Sequence, residues 1–146
     1  MKNEKVIAAL KRIAKDAGGI LQPEAVVEAA RPESSPLHNS FTWDDDDAAH
    51  NYRIWQARQL IRTTVRYIDV NGSQTPVRVF VSLTPDREEE SGGYRTTVSV
   101  LSDKDLRAQM LADALEELRR LEVKYSALKE LAEVFAASRK VREQMK

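Results

Sequence analysis

Residues 44–47 are four consecutive aspartates, and His50 follows one helical turn after Asp46. Carboxylates and an imidazole can together hold a divalent cation, and a cation so held could support hydrolysis. Neighbours in a run point in different directions, however. The glycine-punctuated spacing of a calcium loop is absent, as is the zinc-binding H-E-x-x-H helix. Negative charge at a helix start has a simpler use, because it caps open amides and complements the helix dipole. The run therefore reads as a helix start with no metal. His38 and His50 stand twelve residues apart in a chain without cysteine. No serine sits in a nucleophile elbow, and Ser34 or Ser35 with His38 is too local for a triad, whose members converge from separated segments. Gly-rich phosphate cradles are missing. The expectation is a non-enzymatic protein with no catalytic residues and no cofactor.

Recognition chemistry is better represented. Arg53, Arg58 and Arg62 fall on one expected helix, and Arg58 and Arg62 share a face. Guanidinium forks suit phosphate or carboxylate, although solvated arginines paired with nearby acids would look the same. Arg78 and Arg95, with Tyr67 and Phe80, can line the outward face of a sheet. There aromatic planes flanked by guanidinium groups would stack a base and hold its phosphate. The competing reading is that a helix covers this face. Leu37, Phe41 and Trp43 precede the aspartates and are expected to staple the helix to the domain, rather than Trp43 stacking on a ligand.

Bulk charge does not single out a partner. The chain has 23 basic and 23 acidic residues. They divide as nine and nine over 1–62, four and five over 63–102, and ten and nine over 103–146, so no third is a basic module. That weighs against nucleic-acid binding by net charge and leaves room for local patches. No apolar run approaches the roughly eighteen residues of a membrane span. MKNEKVIAALKRIAKD is interrupted by Lys5, Lys11, Arg12 and Lys15 as an amphipathic helix is, not as a secretory signal is. The absence of cysteine fits a reducing cytoplasm.

The elements that must position these residues follow from periodicity. Val6, Ile7, Leu10, Ile13, Ala14 and Ala17 predict a helix over about 4–17, stopped by Gly18-Gly19. Pro23 and Glu24 suit the start of a second helix over about 23–31, closed by Pro32. A third helix over about 45–62 turns Ile54, Ala57, Leu60 and Ile61 inward. Three β-branched runs follow, over about 63–70, 76–84 and 94–101, separated by NGSQ and DREEESGG, and read as a three-stranded antiparallel meander. In the middle run Val77, Val79, Val81 and Leu83 face inward and Arg78, Phe80 and Ser82 outward; in the last, Val98 and Val100 face the core. Turning Ile68 and Val70 inward on the first strand also turns Arg66 inward, a conflict the sequence leaves open. Ser102-Asp103 caps a final helix over 103–146. There Leu111, Ala114, Leu118, Leu121, Tyr125, Leu128, Ala132 and Phe135 form an a/d seam roughly 37 Å long. Leu115, Leu131 and Val134 widen the stripe. The seam predicts self-association through Leu111, Leu118, Leu121, Tyr125, Leu128 and Phe135; a core helix, or a hairpin broken near Ser126, would give the same stripe. The fold class expected is α+β: an α+β domain over 1–102 and a long oligomerising helix over 103–146.

Two resemblances add to this. VVEAARPESSPLHNSF, with Ala30, Leu37 and Phe41, is similar in spacing to the helix-turn-helix of TetR-type repressors, which implies a base-reading helix after the turn. Here Arg31-Pro32 occupies the turn and Pro36 the second helix. Over most of its length, through PEAVVEAA, SPLHNSFTWDD, YRIWQARQLI, RVFVSL and LADALEELRR…KYSALKELAEVF, the chain resembles a group of accessory proteins of bacteriophages and prophages. That resemblance implies a small phage-borne protein in the host cytoplasm and brings no active site to transfer. The function expected is an oligomeric binding protein for nucleic acid or a nucleotide-like anion. The alternative is a protein–protein module, either a virion or assembly component or an inhibitor of a host defence.

Overall fold

The computed structural model describes residues 2–43, 46–89 and 92–145, apart from the side chains of Lys2 and Asp47. Helix and antiparallel sheet are mixed in it, and the chain divides into two compact units, one ending at Ser102 and the other beginning at Asp103. No helix among the described residues is long and apolar enough to cross a membrane.

The first unit begins with α1 (Lys2–Asp16), whose Ile7, Leu10 and Ala14 are buried along one side. Gly18 and Gly19 both have positive φ and close the helix, with the Gly19 amide donating to the Ala14 carbonyl at 2.7 Å. Leu21 then pairs with Tyr94 through two backbone hydrogen bonds of 2.7 and 2.8 Å. Helix α2 (Pro23–Ala30) buries Val26, Val27 and Ala30. A single 3-10 turn, His38–Ser40, leads to α3 (Asp47–Thr63), whose Ala57 and Ile61 meet the same core. Leu37, Phe41, Val79 and Phe80 complete it.

Among the described residues the expected meander does not form; four short strands make two separate two-stranded sheets. Strands β1 (Val65–Val70) and β2 (Ser73–Arg78) form a hairpin joined by Asn71 and Gly72. Both turn residues have positive φ, as a two-residue hairpin loop requires, and Asp69 Oδ1 accepts the Gly72 amide at 2.9 Å. This hairpin has no core face: Tyr67, Ile68 and Val70 are all exposed. The clash between Arg66 and an inward Ile68 therefore does not arise, and Arg66 reaches Glu4 at 3.4 Å.

After Arg78 the alternation breaks. Val79 and Phe80 are both buried, and β3 (Phe80–Val81) pairs with β4 (Arg95–Thr96) rather than extending β2. Between them lies α4 (Thr84–Glu88). The third expected strand survives only as β4, because Thr97–Ser102 coils into α5. Thr96 Oγ1 accepts the Ser99 amide at 3.2 Å and so caps that turn. The inward pair is accordingly Thr97 and Val100, three apart, with Val98 on the surface.

The second unit starts at Asp103, whose carboxylate accepts the amides of Asp105 and Leu106 at 2.9 and 3.0 Å. The long helix α6 (Lys104–Tyr125) ends well short of the expected reach. The chain turns through Ser126–Leu128 and a 3-10 turn, Lys129–Leu131, into α7 (Ala132–Gln144). No glycine or proline marks the break. Folding back lets Leu115 and Phe135 become buried, pairs Arg139 with Glu122 and brings Arg142 Nη2 to the Leu115 carbonyl at 3.3 Å. One seam has become a helical hairpin.

Candidate recognition surface

The segment from Leu37 to Trp43 is a clasp between α2 and α3. His38 Nδ1 lies 2.9 Å from the Ala30 carbonyl oxygen, at the end of α2. The indole of Trp43 donates to the His38 carbonyl at 3.0 Å and lies parallel to the His38 ring, with centroids 5.1 Å apart. Arg31 and Arg53 bring guanidinium carbons to 5.7 and 5.5 Å from the indole centroid, within cation–π range. Gln56 ties Thr42 to α3, its side-chain oxygen accepting the Thr42 amide at 3.1 Å. These polar partners all lie within the chain's own segments, so the knot fastens structure. The helix-turn-helix rhythm implied a second helix here, but residues 36–41 contain only the one 3-10 turn.

Asp46 is the N-cap of α3, its carboxylate accepting the Ala49 amide at 2.6 Å. Asp44 and Asp45 lie outside the described residues. Among the described residues no group of three acidic or imidazole side chains could hold a metal ion.

The seven candidate ligand residues are sorted by burial. Arg53 is only 4% exposed and donates to the Thr42 carbonyl at 3.3 Å, beside Trp43. Phe80 is fully buried, which corrects the outward position expected from strand alternation. Arg95 is committed to Asp86 by a bidentate pair of 2.8 and 2.9 Å. Arg58, Arg62, Arg78 and Tyr67 are exposed. The expected grouping of Arg78, Arg95, Tyr67 and Phe80 on one sheet face is thus dispersed, since Tyr67 and Arg78 belong to the β1–β2 hairpin and the other two to the β3–β4 sheet.

A different grouping stands on α3. Helical spacing puts Tyr52, Trp55, Arg58 and Arg62 along one side, opposite Ala57 and Ile61. Tyr52 and Trp55 stack with centroids 5.6 Å apart and planes within 13°, yet each is about half exposed, at 50% and 52%. Large aromatics are costly to leave in water, and two of them stacked form a flat apolar platform with two guanidinium groups beyond it. Sequence reasoning kept the arginines and missed the rings. The signal was in YRIWQARQLI: Tyr52 and Trp55 are three apart, and neither is in phase with Ala57 and Ile61. A shallow groove of about 490 Å³, lined by Lys5, Arg12, Ser34 and Pro36 among others, offers charge without any such platform.

In the second unit, Phe135 is buried inside the hairpin and Leu118 is half-buried, while Leu111, Leu121, Tyr125 and Leu128 are exposed. The chain matches no protein-family model, and no curated protein or solved structure is significantly similar to it.

Proposed function

We propose that this is a non-enzymatic, oligomeric phage accessory protein that binds single-stranded nucleic acid on the outer face of α3. The stacked, half-exposed Tyr52–Trp55 pair carries the reading. An aromatic platform accepts any base, and Arg58 and Arg62 along the same stripe supply phosphate partners. Such a surface needs no basic net charge, because two local cations and stacking do the holding. Resemblance to phage and prophage proteins supports the origin and a place in the host cytoplasm.

Binding of a fluorescent single-stranded oligonucleotide, titrated across a salt series, tests this. Wild type should bind at low salt and weaken as salt rises, since phosphate binding releases counterions. Trp55→Ala should lose about 1–3 kcal/mol, roughly five- to 150-fold, the scale of one stacked base. Arg58→Ala with Arg62→Ala should flatten the salt slope by about 0.7 for each phosphate no longer neutralised. Absence of binding at low salt, or an unchanged affinity in Trp55→Ala, would retire the reading.

A protein–protein module is the second reading. Tyr67, Ile68 and Val70 stand exposed on the β1–β2 hairpin, and a zero net charge suits a protein partner. Capture of a defined phage or host protein that is abolished by Tyr67→Ser, with no oligonucleotide binding, would favour it.

A further inference from the structure

The α6–α7 hairpin is two-sided. On helical wheels, the α6 positions beside the α7 contact carry Leu111, Leu121 and Tyr125, and the corresponding α7 positions carry Val134, Val141 and Met145. Because the helices are antiparallel, these two stripes fall on the same side of the hairpin. All six side chains are exposed, between 37% and 52%. The opposite side carries Glu116, Arg119, Arg139 and Glu143, with Val123 exposed among them. The apolar side leaves on the order of 500 Å² of large side chain in water, comparable to the roughly 800 Å² each partner gives to a standard interface. Among the described residues the unit's own buried set is Leu115, Phe135 and Ser138, too few for 44 residues to stand alone.

The charges at the margins of that face name the occupant. The Arg142–Leu115 and Arg139–Glu122 contacts set the antiparallel register to within about one helical turn, in which Glu117 stands near the level of Lys140 and Lys124 near that of Glu133. Within one chain these pairs lie on opposite outer edges and do not meet. A two-fold axis parallel to the helices lays α6 of one copy over α7 of the other. It then sets Glu117 beside the partner's Lys140 and Lys124 beside the partner's Glu133, each opposite in sign. A two-fold axis across the helices would set α6 against α6 and match these charges only when centred between Glu117 and Lys124, where Leu111 of each copy overhangs the end of the partner's α6 and the apolar faces overlap less.

We infer that two copies of the chain join through the Leu121–Val141 side of their hairpins into an antiparallel four-helix bundle, with α6 of each copy against α7 of the other. This rests on the reading that the protein is oligomeric and goes further by fixing the face and the sense of pairing. Phe135, expected at the interface, belongs to the interior of each half.

Light scattering on the full chain should give twice the 16.5 kDa chain mass. Leu121→Glu should return it to one chain without loss of helical circular dichroism, since Leu121 is a surface residue. The chain has no cysteine of its own. Mixing Lys124→Cys with Glu133→Cys under mild oxidation should therefore yield a disulfide-linked pair that neither variant forms alone. Glu117→Lys should weaken the dimer about tenfold, and adding Lys140→Glu should restore it. A single-chain mass for wild type would overturn both the oligomeric reading and this one. A double mass without the mixed cross-link, or with Lys124→Cys linking to itself, would overturn this arrangement alone.

Discussion

At the residue scale, the most instructive side chains are those whose charge is already spent. Asp86, 5% exposed, is held by both arms of the Arg95 guanidinium and ties α4 to β4. Breaking such a pair strands a buried charge, which costs more than the pair itself contributes. Asp86→Ala should therefore lower stability by about 3 kcal/mol, the lower end for buried pairs because Arg95 keeps some solvent. A urea titration measures this, and a change under about 1 kcal/mol, the scale of an exposed pair, would show that it is not a structural tie. Arg53 and Arg95 have the same residue type as Arg58 and Arg62; helical spacing puts Arg53 in phase with the buried Ala57 and Ile61, but nothing in the spacing marks Arg95. The difference lies in what folds over them, Trp43 in one case and Asp86 in the other. That is why arginines of one residue type divide into two held by the fold and two left facing water.

At the element scale, α1, α2 and α3 were legible because their apolar residues recur at helical spacing and their limits are marked by glycine, proline or a capping aspartate. The sheet was not. TTVSVLS alternates well enough for a strand, but Thr97 and Val100 also satisfy helical spacing, and the Thr96 hydroxyl tips the balance. The hairpin was legible at its NGSQ turn and not in its surroundings, since alternation says nothing of whether a core exists to receive the apolar side. The end of α6 was equally hidden: an unbroken leucine register runs straight through Ser126, and only the gain from packing back selects the turn. On α6, Arg119 and Arg120 beside Glu116 lower its carboxyl to a pKa of about 2 from 4.5, the hydrogen bond from Arg119 being the main cause. The folded helix then binds fewer protons than the unfolded chain. Its stabilising share is full above pH 4.5 and is lost as pH falls through 2. Wild type and Glu116→Gln should accordingly differ in helix stability above pH 4.5 and converge by pH 2, followed by circular dichroism; an undiminished difference at pH 2 would contradict the assignment.

At the scale of the whole molecule, the chain combines a unit with a continuous core and a second unit with little core of its own. Their melting should respond differently to dilution. Association stabilises only what it completes, so the transition of the α6–α7 unit should move up as protein concentration rises while that of the first unit stays put. Calorimetry over a roughly hundredfold concentration range reads this directly, and two concentration-independent transitions would mean that each unit is complete in a single copy. Dimerisation would also place two α3 platforms on one particle, and a single strand engaging both would gain avidity with no further interaction at either site.

The two indoles of this chain are sensors of different things. One is clamped beneath two guanidinium groups and an imidazole, so its emission changes when the clasp between α2 and α3 opens. The other stands half in water on the far side of α3, where iodide reaches it first and an arriving base would quench it. Trp55→Phe isolates the first signal and Trp43→Phe the second, so unfolding and ligand arrival can be read separately in one cuvette, without any label.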